Sequence, residues 1–154
     1  MYYFAYGSNI SEYRMINERK INYHSRKFAI LKNYKLVFNK QSKDNPNISY
    51  ANVEESLNDN VEGVLYLLDD KDIKILDKYE GYPNHYQKIS CYVLCEGKYI
   101  ECILYVANTN MINNNAVPTQ KYLNYILEGR DLLSKEYFKL LTEQKTYENR
   151  YYCN

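Results

Sequence analysis

Residues 2–6, YYFAY, form an apolar and aromatic run that breaks at once into Gly7, Ser8 and Asn9. The run predicts a first strand, and the three residues after it predict a turn. Residues 10–17 fit a short helix. Residues 27–38 contain strand-like stretches, with Tyr34, Leu36 and Phe38 in alternation. QSKDNPN at 41–47 predicts a loop, and 48–54 and 61–68 read as two strands flanking a polar turn. Residues 89–96 and 99–106 flank Gly97-Lys98, the pattern of a type II′ hairpin. Helices are fewer. One covers 71–80, capped by Asp69 or Asp70. A second covers 119–129, with Tyr122, Ile126 and Leu127 on one stripe and Gly129 near its end. A third covers 134–143, after Ser134. ANTNMINNNAVP at 107–118 reads as a long polar loop. Several strands with interspersed helices predict an α+β fold built on a small closed or nearly closed mixed sheet.

No internal repeat or low-complexity linker divides the chain, and 154 residues fit one domain spanning 1–154. A chain of this size buries roughly 70 % of its unfolded surface and folds without disulfides or metal. Net charge is +1, with acidic and basic residues interspersed, which argues against a nucleic-acid surface. No apolar run approaches the length of a membrane span. The first residues lack a basic stretch followed by an apolar one, so no secretory leader and a cytoplasmic location are expected. The 20 tyrosines are expected at half-buried positions, where an apolar ring and a polar tip both find a place.

Cys91, Cys95 and Cys102 lie close together, but not as the paired C-x2-C of a zinc site. The hairpin explains them better. A turn at Gly97-Lys98 sets Cys95 against Ile100, Val93 against Cys102 and Cys91 against Leu104, all on one apolar face. The cysteines are therefore expected to act as small core hydrophobes. Cys153, in the tail, is expected to be a free thiol.

Two places in the pattern invite a chemical reading. The early break at Gly7-Ser8-Asn9 is either plain turn chemistry or a way to present backbone amides to a ligand. Glu80 stands seven residues after Ile73, within about 20° of the inward stripe that Ile73 and Leu76 define. It also falls in the last helical turn, before Gly81, where the helix dipole disfavours a carboxylate. Desolvation and dipole both raise its pKa toward neutral, which suits a general acid/base. The competing reading turns Glu80 to water or pairs it with Lys78 or Lys88. His85 reads as a loop residue, and His24 has no partner motif. No P-loop signature occurs.

Taken in order, FAYGSN at 4–9 with Arg14 beyond it, VEGVLY at 61–66 and LDKYEGYPNHY at 76–86 resemble the γ-glutamylcyclotransferase superfamily, which includes AIG2-like proteins and γ-glutamylamine cyclotransferases. YVAN at 105–108 and KYLNYILEG at 121–129 are weaker marks of the same resemblance, which covers nearly the whole chain. It implies a mixed β-barrel with helices packed outside and a cavity at one end. It places the family's glycine-containing loop on Tyr6, Gly7, Ser8 and Asn9, with Ile10 where the family takes Leu or Met. It places the catalytic glutamate on Glu80 and a binding-site tyrosine on Tyr122. The implied reaction cleaves a γ-glutamyl amide by attack of its own α-amine, releasing 5-oxoproline and an amine or amino acid, with no metal or cofactor. The implied partner is that small substrate, acting on a monomer or homodimer. Residues 107–118, the least family-like part, and the tail are expected to shape substrate choice. The resemblance also leaves room for a non-catalytic module that retains the γ-glutamyl pocket, and for an interaction protein with an empty barrel.

Overall fold

The computed structural model describes residues 1–151, so the expectation for Cys153 lies outside the described residues. Five strands form a closed barrel in the order β1-β3-β2-β4-β5. They are β1 (Tyr2–Ala5), β2 (Ser25–Gln41), β3 (Ser49–Leu67), β4 (Tyr86–Cys95) and β5 (Lys98–Ala107). All neighbours are antiparallel except β1 and β5, which meet in parallel at Tyr3 and Ile103 and close the ring. The helices are α1 (Asp70–Glu80), α2 (Gln120–Leu127), α3 (Lys135–Thr142) and the short α4 (Tyr147–Tyr151). The expected α+β barrel with external helices is what forms.

The first strand has β3 and β5 at its edges and is buried on both faces, one turned to the barrel interior and the other covered by the helices. Phe4 joins Leu31, Val53, Leu65, Val93 and Leu104 in a cluster whose buried members all come from the barrel strands or the end of β1, so this cluster fills the interior. Tyr3 and Ala5 point the other way, into a second cluster that takes in Ile73 and Leu76 of α1 and Ile126 of α2. Alternation along one strand thus serves two cores.

Four expectations need correction. The strands at 48–54 and 61–68 are one bulged strand, β3, paired with β2 on both sides of an unpaired stretch at 56–59. The polar residues between them are an excursion opposite Asn33, where Asn58 donates its N–H to Asn33 Oδ1 at 3.1 Å. Polar sequence alone did not end the strand, because the partner strand runs on past it. The hairpin turn is Glu96-Gly97, not Gly97-Lys98. Both residues have positive φ, 50° and 76°, as a type I′ turn requires. Register moves by two, so Cys91 faces Cys102 and Val93 faces Ile100. A shift of two keeps every side chain on its expected face, and Cys95 and Cys102 are core residues. Residues 10–17 do not make a regular short helix: a 3-10 turn at Ser8–Ile10 and a π-helical turn at Arg14–Glu18 share the segment. Finally, Tyr3, Tyr6, Tyr66, Tyr86 and Tyr105 are buried rather than half-buried. Tyr66 and Tyr86 satisfy their hydroxyls on the carbonyls of Asn9 and Ala51 at 2.8 Å each.

Helix ends follow local rules. Thr119 and Ser134 cap α2 and α3 by accepting from the N–H of Tyr122 and Tyr137. Asp69 holds the capping position of α1, but its carboxylate is turned to His24 at 2.8 Å. No helix among the described residues is long and apolar enough to cross a membrane.

Candidate active site

One cavity of about 400 Å³ opens at the end of the barrel, where the loop after β1, the C-terminus of α1 and the ends of β2 and β3 converge. Tyr6, Gly7, Ser8, Asn9, Glu80 and Tyr122 all line it. These are the residues marked from sequence, and the fold brings them together from three separate stretches of chain.

Helix α1 ends so as to deliver Glu80. The Gly81 N–H donates to the Lys78 carbonyl at 3.2 Å and the Tyr82 N–H to the Asp77 carbonyl at 2.9 Å. Gly81 has φ 63°, so this is a Schellman ending that needs a residue at ease in the left-handed region. A Cβ at Gly81 would stand 2.6 Å from His85 Cδ2, so the ring of His85 packs on that glycine. Glu80 is neither turned to bulk water nor paired with a lysine. Lys88 is engaged with Asp77, at 2.9 Å and 3.0 Å. The Glu80 carboxylate instead accepts from Asn9 Nδ2 at 3.2 Å.

Asn9 is the hinge of the arrangement. Its amide nitrogen also reaches the Tyr3 hydroxyl at 3.0 Å, and its Oδ1 accepts from Arg19 Nε at 2.6 Å. The turn after β1 is therefore tied to α1 and to Arg19 through one buried side chain. Gly7 lies close to Tyr122: a Cβ there would meet the Tyr122 hydroxyl at 3.0 Å and Ala51 Cβ at 3.2 Å. The Tyr122 hydroxyl accepts from the Ala51 N–H at 3.1 Å, which leaves its own proton free to donate into the cavity. Tyr6 spends its hydroxyl on the Tyr105 carbonyl, so in this arrangement it walls the cavity rather than offering a donor.

Burial raises the pKa of Glu80 above its ordinary value, while Arg19, Arg14, the Asn9 hydrogen bond and Lys40 pull it back. The direction is the one the helix pattern predicted, but the opposing cations were not anticipated. Burial also holds Tyr3, Tyr6 and Tyr86 well up, and Tyr122 is pushed up to about 12, so all four are neutral phenols near neutral pH.

Sequence reasoning missed Arg19, Lys40, Tyr3 and Tyr86, all of which line the cavity. For Lys40 the sequence signal was ambiguous: the alternation of Tyr34, Leu36 and Phe38 leads toward it, but the ladder shifts between Phe38 and Lys40, so the period alone does not set its direction. Arg19 carried no such mark, because the turns that present it have no simple period. Residues 107–118 do not line the cavity among the described residues. They brace it from behind: Ile112 bridges to Lys40, and Val117 bridges to Ile48.

A family model described as gamma-glutamyl cyclotransferase, AIG2-like, matches residues 3–125. A solved structure titled gamma-glutamyl cyclotransferase superposes with a TM-score of 0.83 at 26 % identity, covering 96 % of this chain and 89 % of that one. An uncharacterized protein, loc79017 from Homo sapiens, gives 0.80 at 27 % identity with the same coverage, 96 % and 89 %. YkqA from Bacillus subtilis gives 0.81 at 26 % identity over 93 % of this chain but only 53 % of its own. No curated protein matches the chain. The chain belongs to the gamma-glutamyl cyclotransferase, AIG2-like family.

Proposed function

We propose that this protein cleaves a γ-glutamyl amide by intramolecular attack of the substrate's α-amine, releasing 5-oxoproline and a free amine or amino acid. The observation that carries the reading is the Glu80 carboxylate. It faces a cavity, its pKa is raised by burial, and it accepts a hydrogen bond from Asn9 of the turn after β1.

The substrate's α-ammonium has a reference pKa of about 7.7–8.0. Ionised Glu80 takes one of its protons, and the freed amine attacks the γ-carbonyl carbon. The carbon–nitrogen bond forms and the carbonyl electron pair moves onto oxygen. Donors around that oxygen come from the Gly7 and Ser8 backbone and from the Tyr122 hydroxyl proton. As the carbonyl re-forms, Glu80 gives its proton to the leaving nitrogen and the amide bond breaks. The ring nitrogen's remaining extra proton passes to Glu80 and on to the released amine, so protons balance. Because attack is intramolecular, the cavity's task is to fold the substrate, and much of the entropy of bringing the reacting groups together is already lost.

The test is mass-spectrometric detection of 5-oxoproline after incubation with a panel of γ-glutamyl amino acids and γ-glutamylamines. Release by wild type and not by Glu80→Gln is the expected result. Equal release by a folded Glu80→Gln protein would sink the role of Glu80. Silence from both, with a ligand-induced rise in Tm, would instead identify a binding module.

A further inference from the structure

The cavity is far more basic than the chain. Arg14, Arg19, Lys40, Lys43 and Lys78 line it against two carboxylates, Glu80 and Asp44, although the net charge is only +1. The cations that the structure engages fall into two groups. Arg14 and Arg19 stand on the side of the turn after β1, with the Arg14 guanidinium 4.4 Å from the Tyr125 ring centroid and that of Arg19 4.3 Å from Tyr79. Lys40 stands apart, at the end of β2, where the ladder with β3 shifts between Phe38 and Lys40.

Lys40 is an unusual lysine. Its residue is 4 % exposed. Among the described residues no carboxylate lies within ion-pair distance of it. Its ammonium donates to His85 Nδ1 at 2.9 Å, a neutral partner, and faces the rings of Tyr50 and Tyr86 at 5.7 Å and 5.8 Å. Burial lowers its pKa, Glu80 raises it, and burial with Lys40 and Lys43 keeps His85 the acceptor. A desolvated cation whose direct partners are a neutral ring and two aromatic faces, with Glu80 acting only beyond ion-pair distance, has unused capacity for an anion.

A γ-glutamyl conjugate of a simple amine carries one carboxylate, on the glutamyl α-carbon, and the arginine group, with Arg14 also 3.5 Å from Glu18, is the cationic group apart from Lys40 that can face it. Such a conjugate would leave Lys40 buried without a carboxylate at ion-pair distance once the cavity fills, with only the field of Glu80 to offset its charge. A leaving group with its own ammonium would meet Lys40 and Lys43 with like charge. A γ-glutamyl amino acid carries a second carboxylate and matches both cationic groups. We infer that Lys40 is a specificity-determining residue which takes the carboxylate of an amino-acid leaving group, so that the substrate is a γ-glutamyl conjugate of an amino acid and not of a simple amine. This rests on the reading of the cavity as a γ-glutamyl site.

The test uses γ-glutamyl-alanine and γ-glutamyl-alaninamide, which differ only in that carboxylate. Their binding to the full-length Glu80→Gln protein is measured by calorimetry, and 5-oxoproline release is followed in wild type. The amide is expected to bind about 10- to 100-fold more weakly. Adding Lys40→Met should erase that difference by weakening the alanine ligand alone, and Lys40→Arg should retain it. Equal binding of the two ligands, binding of neither, or an equal loss for both with Lys40→Met overturns the assignment. The first of these is read without any Lys40 variant having to fold. Release of 5-oxoproline from both ligands at equal kcat/KM also sinks the role of Lys40 while leaving the cyclotransferase reading intact. No release with the binding preference intact supports Lys40 and sinks the cyclotransferase.

Discussion

The cavity end of the barrel and the β4–β5 hairpin both turn reactive side chains inward, and they differ in what surrounds them. At the cavity, Glu80 meets Asn9, two arginines, a lysine and open volume. In the hairpin, Cys91 and Cys102 face each other with sulfurs 3.8 Å apart, and their neighbours are apolar. The hydrogen bond to Cys91, then burial, push the Cys102 thiol well up, so it is held as a thiol. Among the described residues no group of histidine, cysteine and carboxylate side chains could hold a metal ion. Inward position alone therefore says little about chemistry. A buried polar group with uncommitted donors and room beside it is poised to act, whereas one packed among hydrocarbon is a piece of core.

The sharpest way to break that contrast is Glu80→Gln. The substitution keeps size and the Asn9 contact but removes the proton acceptor, and the rate of 5-oxoproline release is expected to fall about 10²- to 10⁴-fold. Gly7→Ala comes next. The new methyl would crowd the Tyr122 hydroxyl at 3.0 Å, and displacement of that donor is expected to lower kcat/KM about 10- to 100-fold with little change in Tm. In the hairpin the expected signs reverse. Cys102→Ser buries a hydroxyl among apolar neighbours and should cost about 1–3 kcal/mol in urea unfolding, with release per folded molecule unchanged. Loss of activity without loss of stability there would erase the distinction between the regions.

The smallest effect is a pH-dependent one. The folded-state pKa of Glu80 lies above its unfolded value. Its contribution to stability is thus fully present below the unfolded pKa and is lost as pH rises through the folded one. Glu80→Gln does not titrate, so its Tm should exceed that of wild type at pH 8, and the gap should close below about pH 4. A gap that widens on acidification would mean that the cations outweigh burial at this site.

The sequence was most legible where a local pattern carried the structure. The inward stripe of α1, the Gly81 stop and the alternation of β4 and β5 all depend on neighbours a few residues apart, and each formed with its faces as expected. Even the hairpin register error left the cysteines on the right face, because side-chain direction repeats every two residues. The misplaced charge of Glu80 was visible for the same reason, whereas that of Lys40 lies beyond the ladder shift after Phe38.

What local pattern did not decide was continuity and convergence. Whether the polar residues near Asn58 end a strand depends on β2, which lies some 25 positions away in sequence, as the Asn58–Asn33 hydrogen bond shows. Asn9 and Glu80 are 71 positions apart, and the distance between them is set by closure of the barrel through β1 and β5. Pairing along the chain is a short-range matter of sterics and periodicity, and the sequence determined it by itself. Which donors, cations and rings share one cavity is a matter of how five strands close and where their ends fall, and only the tertiary structure decided that.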